Sequence, residues 1–195
     1  MQRGTAIVLP SVLFLCLQPA AADEKKAAPE QAQSAASISA ELLRMYQEDQ
    51  GDRSGSIDWS VVAPRDETRR QRVKEIIAAG DLVTAADHFH AAMVLQHGRA
   101  PEDFKLAHEL ALKASQLDPE HDSARWLAAA AMDRYLHNIG EPQIYGTQFR
   151  KVGGKWTLDP IDETAVTDEE RAQRGVPPLA TAKERARKMN ARGGS

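Results

Sequence analysis

Three short groups of polar residues in this chain carry side chains suited to chemistry. Their members are Gln96, His97, Asp133, Arg134, Gln143, Tyr145, Thr147 and Gln148. An imidazole exchanges protons near neutral pH, a nearby carboxylate can orient it, and a guanidinium can hold an oxyanion. Amide and phenol groups can bind the polar groups of a ligand. The set therefore predicts either ligand binding or acid–base chemistry, provided that the fold brings its members together.

We predict a polar pocket that binds a small-molecule or peptide ligand. Gln96 and the run from Gln143 to Gln148 would contact the amides of that ligand, and Arg134 would hold a carboxylate or phosphate. A second interpretation is purely structural: the same groups would satisfy one another in an interaction protein and fix the loop against the helices.

The third interpretation is a hydrolase. His97 would act as general acid or base, Asp133 would orient it, and Arg134 or the amides of Gln143 and Gln148 would hold the oxyanion. The sequence has no Gly-x-Ser-x-Gly motif, and its one cysteine, Cys16, precedes the predicted domain. An activated water is therefore the expected nucleophile, with Thr147 as a weaker candidate.

Metal and cofactor sites are not predicted. Asp87, His90 and His97 lie on one helical stripe, but they lack the His-Glu-x-x-His arrangement, and histidines on a helix surface are more often only exposed. No phosphate-binding loop or dinucleotide fingerprint is present. The pair Gly153-Gly154 is explained by a hairpin turn.

The elements that must position these residues are mostly helices. The apolar spacing and the stop signals predict helices over about 83–97, 101–117 and 123–138, ending at Gly98, Pro119 and Gly140. Two helices precede them, one from Ser37 to about Gly51 and one from residue 64 or 65 to Gly80. The short connections imply antiparallel neighbours.

The segment after Gly140 predicts smaller elements. A β-hairpin near 147–158 turns at Gly153-Gly154, and a short helix begins near Thr167. A basic segment, 179–195, forms a helix or a tail. The expected fold is thus mainly α: an antiparallel helical bundle with loosely tetratricopeptide-like helix pairs and a small C-terminal β-hairpin, with the helical domain over 37–178.

The linked motifs Gln-His, Asp-Arg and Gln-x-Tyr-Gly-Thr-Gln, at 96–97, 133–134 and 143–148, resemble those of a family of uncharacterised bacterial proteins. The resemblance runs from about Asp81 to Val176. It implies no activity, substrate or cofactor, and it marks the motif residues only as a set.

Length and charge set the remaining limits. The 195 residues, with 25 Lys and Arg against 28 Asp and Glu, fit one ordinary domain with tails and lack the basic excess of a dedicated nucleic-acid binder. Residues 1–22 have the layout of a secretory signal peptide, and 23–36 have the composition of a flexible tether. We therefore expect a periplasmic or extracellular protein with no stable membrane insertion after cleavage. The mature chain would contain no cysteine.

Overall fold

The computed structural model describes the chain from residue 21 to residue 192, with side chains described from residue 32. The predicted signal peptide, 1–22, falls almost wholly outside the described residues, as do the last three residues of the predicted basic tail. Residues from Ser34 onward form one compact unit.

Within the described residues the fold is mainly α, as the sequence predicts. The helices are α1 (Ala21–Gly51), α2 (Trp59–Ala79), α3 (Ala85–Leu95), α4 (Pro101–Leu117), α5 (Asp122–Asn138), α6 (Asp168–Gln173) and α7 (Leu179–Arg192). The predicted hairpin is confirmed as two short antiparallel strands, β1 (Arg150–Val152) and β2 (Lys155–Thr157), in which Arg150 faces Thr157. No described helix is long and apolar enough to cross a membrane.

The central helices begin and end at clear chemical signals. At the start of α3, the Thr84 hydroxyl accepts from the Asp87 backbone N–H and the Asp87 carboxylate accepts in return from Thr84 N, so that both orphan amides are satisfied. α4 has Pro101 in its first turn, where a missing N–H costs nothing. Gly140 follows α5 with a φ of 82°, which favours glycine and ends the helix.

The core centres on α3, α4 and α5, with α3 packed on α4 and α4 packed on α5, and buried apolar residues of α1 and α2 join it. Alanines contribute much of it: Ala91, Ala107, Ala111, Ala114 and Ala128 are fully buried. Small side chains allow helices to approach closely, and Leu95 and Leu127 fill the space that remains. The tetratricopeptide-like character of these helix pairs remains a prediction.

Two helices begin earlier than the sequence predicts. α1 extends back to Ala21 through the segment predicted to be a flexible tether, because Ala, Glu, Lys and Gln are good helix formers as well as soluble ones. α2 begins at Trp59, since the Asp58 carboxylate accepts from the Ser60 N–H and caps the helix. Pro64 then lies in the second turn of α2.

The basic segment forms a helix, α7, that packs on the hairpin. The Asn190 side chain accepts from the Trp156 backbone N–H at 2.6 Å and donates to the Trp156 carbonyl at 2.9 Å. Lys183 pairs with Glu163 at 2.6 Å. The described part of this segment is therefore an ordered helix and not a tail.

Candidate functional site

The structure divides the predicted site residues into two regions. Gln96, His97 and Arg134 line a cleft of about 290 Å³. Asp133 and the loop 143–148 form a separate hydrogen-bonded network on a different face of α5. The first region is called here the arginine cleft, because Arg53, Arg70, Arg99 and Arg134 line it together with His97 and Asp66.

His97 has a carboxylate partner in the arginine cleft. Its Nδ1 lies 2.9 Å from Oδ2 and 3.1 Å from Oδ1 of Asp49, a residue of α1 whose side chain is 1% exposed. The carboxylate accepts, so we assign the proton to Nδ1, and Nε2 is then the acceptor in the neutral ring. The sequence predicts Asp133 as the orienting carboxylate; this is wrong, because Asp49 has that position in the structure.

Arg53 connects this pair to α2. Its guanidinium donates to Asp49 at 2.9 Å and to Asp66 at 2.7 Å. Burial opposes the ionisation of Asp66, but hydrogen bonds from Arg53 and Arg69 prevail and hold its pKa below the usual range. These ion pairs fix Arg53 beside His97 and compensate the positive charge of Arg53.

Arg134, which follows Asp133 on α5, differs from Arg53 in its hydrogen-bond partners. Its guanidinium donates to the Gln96 carbonyl at 3.1 Å, and its Nε is buried without a hydrogen-bond partner in the described part of the chain. Within the described residues no carboxylate lies within salt-bridge distance of it. Burial lowers the pKa of Arg134, and the nearby positive charge of Arg53 lowers it further. The cleft thus holds a guanidinium that none of the described carboxylates neutralises.

The backbone around His97 is held in place by α2 and α4. Arg70 donates to the His97 carbonyl at 3.2 Å and also pairs with Glu67. Gly98 leaves no room for a side chain, since a Cβ there would meet the Cβ of Asp103 at 2.3 Å. Glycine at 98 is therefore required by a close approach.

The second region centres on Asp133, which is fully buried. Its carboxylate accepts from the backbone N–H groups of Ile144, Tyr145 and Thr147, each at 2.9 Å, and from the Thr147 hydroxyl at 2.7 Å. Four donors saturate a carboxylate, so Asp133 needs no cationic partner. It fixes the loop against α5.

Arg171 of α6 holds the same loop from its carbonyl side. It is 2% exposed and donates to the carbonyls of Ile144 at 3.0 Å and Tyr145 at 3.2 Å. The peptide groups at 144 and 145 therefore lie between a carboxylate, which accepts from their N–H groups, and a guanidinium, which donates to their oxygens. We call Asp133, Arg171 and the loop 143–148 the loop clamp.

Two of the three glutamines predicted to contact a ligand, Gln143 and Gln148, belong to the loop clamp, whereas Gln96 lines the arginine cleft. Gln143, 2% exposed, donates to the carbonyls of Gln148 and Leu158 and accepts from the Gln148 N–H. The Gln148 amide donates to the Ala130 carbonyl and to Thr147. Gly146 makes the turn with a φ of 80°. These polar groups are engaged with the protein itself.

The three residues considered as metal ligands, Asp87, His90 and His97, have separate roles in the structure. Asp87 caps α3, and the His90 ring stacks on Tyr46 with centroids 4.8 Å apart. In the part of the chain that the structure describes, no three His, Cys, Asp or Glu side chains form a group that could hold a metal ion.

Asp49, Arg53, Asp66 and Arg70 are missing from the predicted site. Asp49 carries a signal in the sequence, because it follows the buried Leu42 and Met45 at helical spacing and so continues their apolar stripe. A carboxylate on such a stripe requires a partner. The sequence does not show that the partner is His97, 48 residues further along the chain.

Comparison with known proteins gives one result. No curated protein and no solved structure matches the chain. A family model, the DUF6624 family of unknown function, matches residues 39–190, from α1 through α7. This match is longer than the stretch over which the linked motifs suggest a resemblance, and it covers both the arginine cleft and the loop clamp. Because it spans most of the chain, the chain belongs to the DUF6624 family of unknown function.

Proposed function

We propose that the arginine cleft binds a small anionic ligand through a phosphate or carboxylate group. The observation that carries the proposal is Arg134, a half-buried guanidinium without an acidic partner among the described residues. Keeping an uncompensated cation away from water is costly, and an anion bound beside it would remove that cost.

The charge balance of the cleft supports the same conclusion. Four arginines and His97 line it, with Asp66 as the carboxylate among its lining residues. Arg53 and Arg70 are paired with carboxylates, whereas Arg134 and the exposed Arg99 have no such pair within the described residues. Guanidinium groups match the planar geometry of carboxylate and phosphate oxygens.

An aromatic side chain at the cleft supports a ligand with an apolar part. Trp59 lines the cleft and is 59% exposed, and Phe104 lines it from a buried position. An exposed indole offers a flat apolar surface next to the charged groups. The ligand we propose is therefore a small anion attached to an apolar group, held by Arg134 at one end.

Titration with inorganic phosphate and with acetate tests the proposal. The wild-type protein and the Arg134→Met variant are compared by isothermal calorimetry, with Arg187→Met as the control. Arg187 is an exposed arginine of α7 that pairs with Glu184. Loss of one charge-assisted hydrogen bond weakens binding by about tenfold or more. Equal affinity in all three proteins, or no heat with either anion, would contradict an anion site at Arg134.

We also propose that the protein is exported before it acts. Support comes from residues 1–22, with one basic residue, a short apolar run and small residues before the expected cleavage at Ala22. Expression of the full chain in a bacterial host, followed by N-terminal sequencing of the periplasmic fraction, should give a chain that begins at Asp23. An unprocessed cytoplasmic chain would overturn this proposal without affecting the cleft.

A further inference from the structure

The arginine cleft contains an imidazole whose second nitrogen is free for chemistry. His97 donates from Nδ1 to Asp49, and its Nε2 has no hydrogen-bond partner among the described residues and is not a buried atom. Because Asp49 holds the proton on Nδ1, the lone pair of the neutral ring is on Nε2. This is the tautomer that a general base requires.

The groups around His97 suit a reaction that gathers negative charge. They are Asp49 from α1, Arg53 after α1, Asp66 and Arg70 from α2, Arg99 after α3 and Arg134 from α5. Asp49 would stabilise an imidazolium formed at His97. The guanidinium group of Arg134, which has no acidic partner among the described residues, would stabilise new charge on the substrate.

We propose that the Asp49–His97 pair acts as a general-base dyad that hydrolyses a small phosphate ester bound in the arginine cleft. This inference rests on the proposed anion binding and adds a reaction to it. A phosphoryl group fits better than a carboxylic ester, because several guanidinium groups surround the cleft and attack by water spreads negative charge over several phosphoryl oxygens.

The step balances with water as the only co-reactant. Nε2 of His97 takes a proton from a water molecule as its oxygen forms a bond to phosphorus. The bond from phosphorus to the ester oxygen breaks, and the leaving oxygen takes a proton from solvent. His97 then returns its proton to solvent, and the products are an alcohol and a phosphate. Arg134 holds the phosphoryl oxygens throughout, and Asp49 is a positioning residue.

The test uses the full chain without its signal segment, residues 23–195, and chromogenic substrates. Hydrolysis of p-nitrophenyl phosphate and bis(p-nitrophenyl) phosphate distinguishes a monoester from a diester, and p-nitrophenyl acetate serves as the carboxylic ester. We expect turnover of a phosphate ester by the wild type. The His97→Asn variant should lose about 10²–10⁴-fold in kcat/KM, the range of a general base.

His97→Asn is chosen because its amide nitrogen can still donate to Asp49, while nothing replaces Nε2. It should fold, as judged by circular dichroism, and bind inorganic phosphate within a few-fold of wild type. His137→Asn, which alters a histidine near the end of α5 outside the cleft, is the matched control and should keep full activity.

A test of Asp49 must measure a property that loss of a purely structural residue would leave unchanged, and the pH dependence of kcat/KM is such a property. Asp49→Asn removes the charge that favours an imidazolium, so the acid limb of the kcat/KM profile should move to lower pH as kcat falls. The control Asp81→Asn removes an exposed carboxylate and should leave the profile in place. An unmoved acid limb in Asp49→Asn would overturn the dyad.

The outcomes separate this inference from the proposed function. Phosphate binding without turnover of any phosphate ester overturns the dyad and leaves the anion site intact. Turnover of the acetate alone overturns the substrate class. No phosphate binding and no turnover overturn both. Turnover that survives His97→Asn assigns the base to another residue and also overturns the proposal.

Discussion

The arginine cleft and the loop clamp are built from adjacent residues of α5 and yet differ in how their charges are satisfied. Asp133 is fully buried, accepts from four donors and belongs to the loop clamp. Arg134, the next residue, belongs to the cleft and makes one hydrogen bond to a carbonyl. A helix turns by about 100° per residue, so adjacent residues enter different environments.

The difference separates a region that stabilises the fold from one that is left open. In the loop clamp, peptide groups lie between Asp133 and Arg171, and the side chains of Gln143 and Gln148 hydrogen-bond to the protein itself. In the cleft, His97 Nε2 and Arg134 remain available to a ligand. Saturated buried networks contribute stability, whereas sites kept for function are often suboptimal for it.

Asp133→Ala should have the largest effect on stability. The change leaves three backbone N–H groups and a hydroxyl in a buried environment without their acceptor, so we expect a loss of about 3–5 kcal/mol in the free energy of unfolding. Urea unfolding measures this, with Asp81→Ala as the control. A loss below about 1 kcal/mol would mean that water replaces the carboxylate and that the clamp does not stabilise the fold.

Arg171→Met should cost less than Asp133→Ala. Methionine fills much of the same volume, but the carbonyls of Ile144, Tyr145 and Val166 lose a charged donor. We expect a loss of about 2 kcal/mol by urea unfolding. In the double variant with Asp133→Ala the losses should not add, because both residues hold the same peptide groups. Full additivity would show that the two ends of the clamp act independently.

The sequence predicts the central helices well because their signals are local. Pro101 in a first turn and apolar residues at helical spacing give α4 the bounds that the structure has. The tether prediction over 23–36 differs from the helix found there, because a polar, Ala-rich segment satisfies both descriptions and its apolar pattern cannot separate them. Local signals therefore define the bounds of amphipathic helices, but they do not show whether a polar segment is helical or extended.

Only part of the candidate site can be predicted, because the sequence signals for it are also local. Helical spacing shows which face of its own helix a residue occupies, so the pattern identifies His97 and Arg134 as candidate site residues. It does not show which element lies across from that face. The sequence pairs His97 with Asp133 of α5, but in the structure the carboxylate beside His97 is Asp49 of α1, 48 residues earlier in the chain. The partner follows from tertiary packing, which periodicity does not encode.

The stability of the two regions is best compared at a pH where other groups of the fold do not titrate. Two half-buried imidazoles, those of His90 and His108, determine that pH. Burial lowers the pKa of His90 and outweighs the opposing charge of Asp87, and the charge of His121 lowers it further. Burial also lowers the pKa of His108, and this outweighs its hydrogen bond to the Ala128 carbonyl. Both rings are therefore neutral in the folded protein at a pH where the unfolded chain takes up protons.

The free energy of unfolding should therefore be highest above the ordinary histidine pKa of 6.5 and fall as the pH drops below it, until the folded protein also takes up these protons. The double variant His90→Phe/His108→Gln removes both imidazoles, so its free energy of unfolding should fall less at acid pH. Phe keeps the stack on Tyr46 and Gln can donate to the Ala128 carbonyl, so the fold should be kept. Urea unfolding across the pH range checks it. An equal fall in the variant and the wild type would assign the acid sensitivity to other groups.

Arg134→Met should have the smallest effect on stability and the clearest effect on binding. The variant loses one hydrogen bond to the Gln96 carbonyl but no longer buries an uncompensated charge. The free energy of unfolding should stay within about 1 kcal/mol of wild type or rise. Affinity for inorganic phosphate should fall at the same time, whereas Asp133→Ala should leave phosphate affinity unchanged wherever it remains folded. A loss above about 2 kcal/mol with unchanged phosphate binding would make Arg134 a structural residue like Asp133, and the contrast between the cleft and the clamp would disappear.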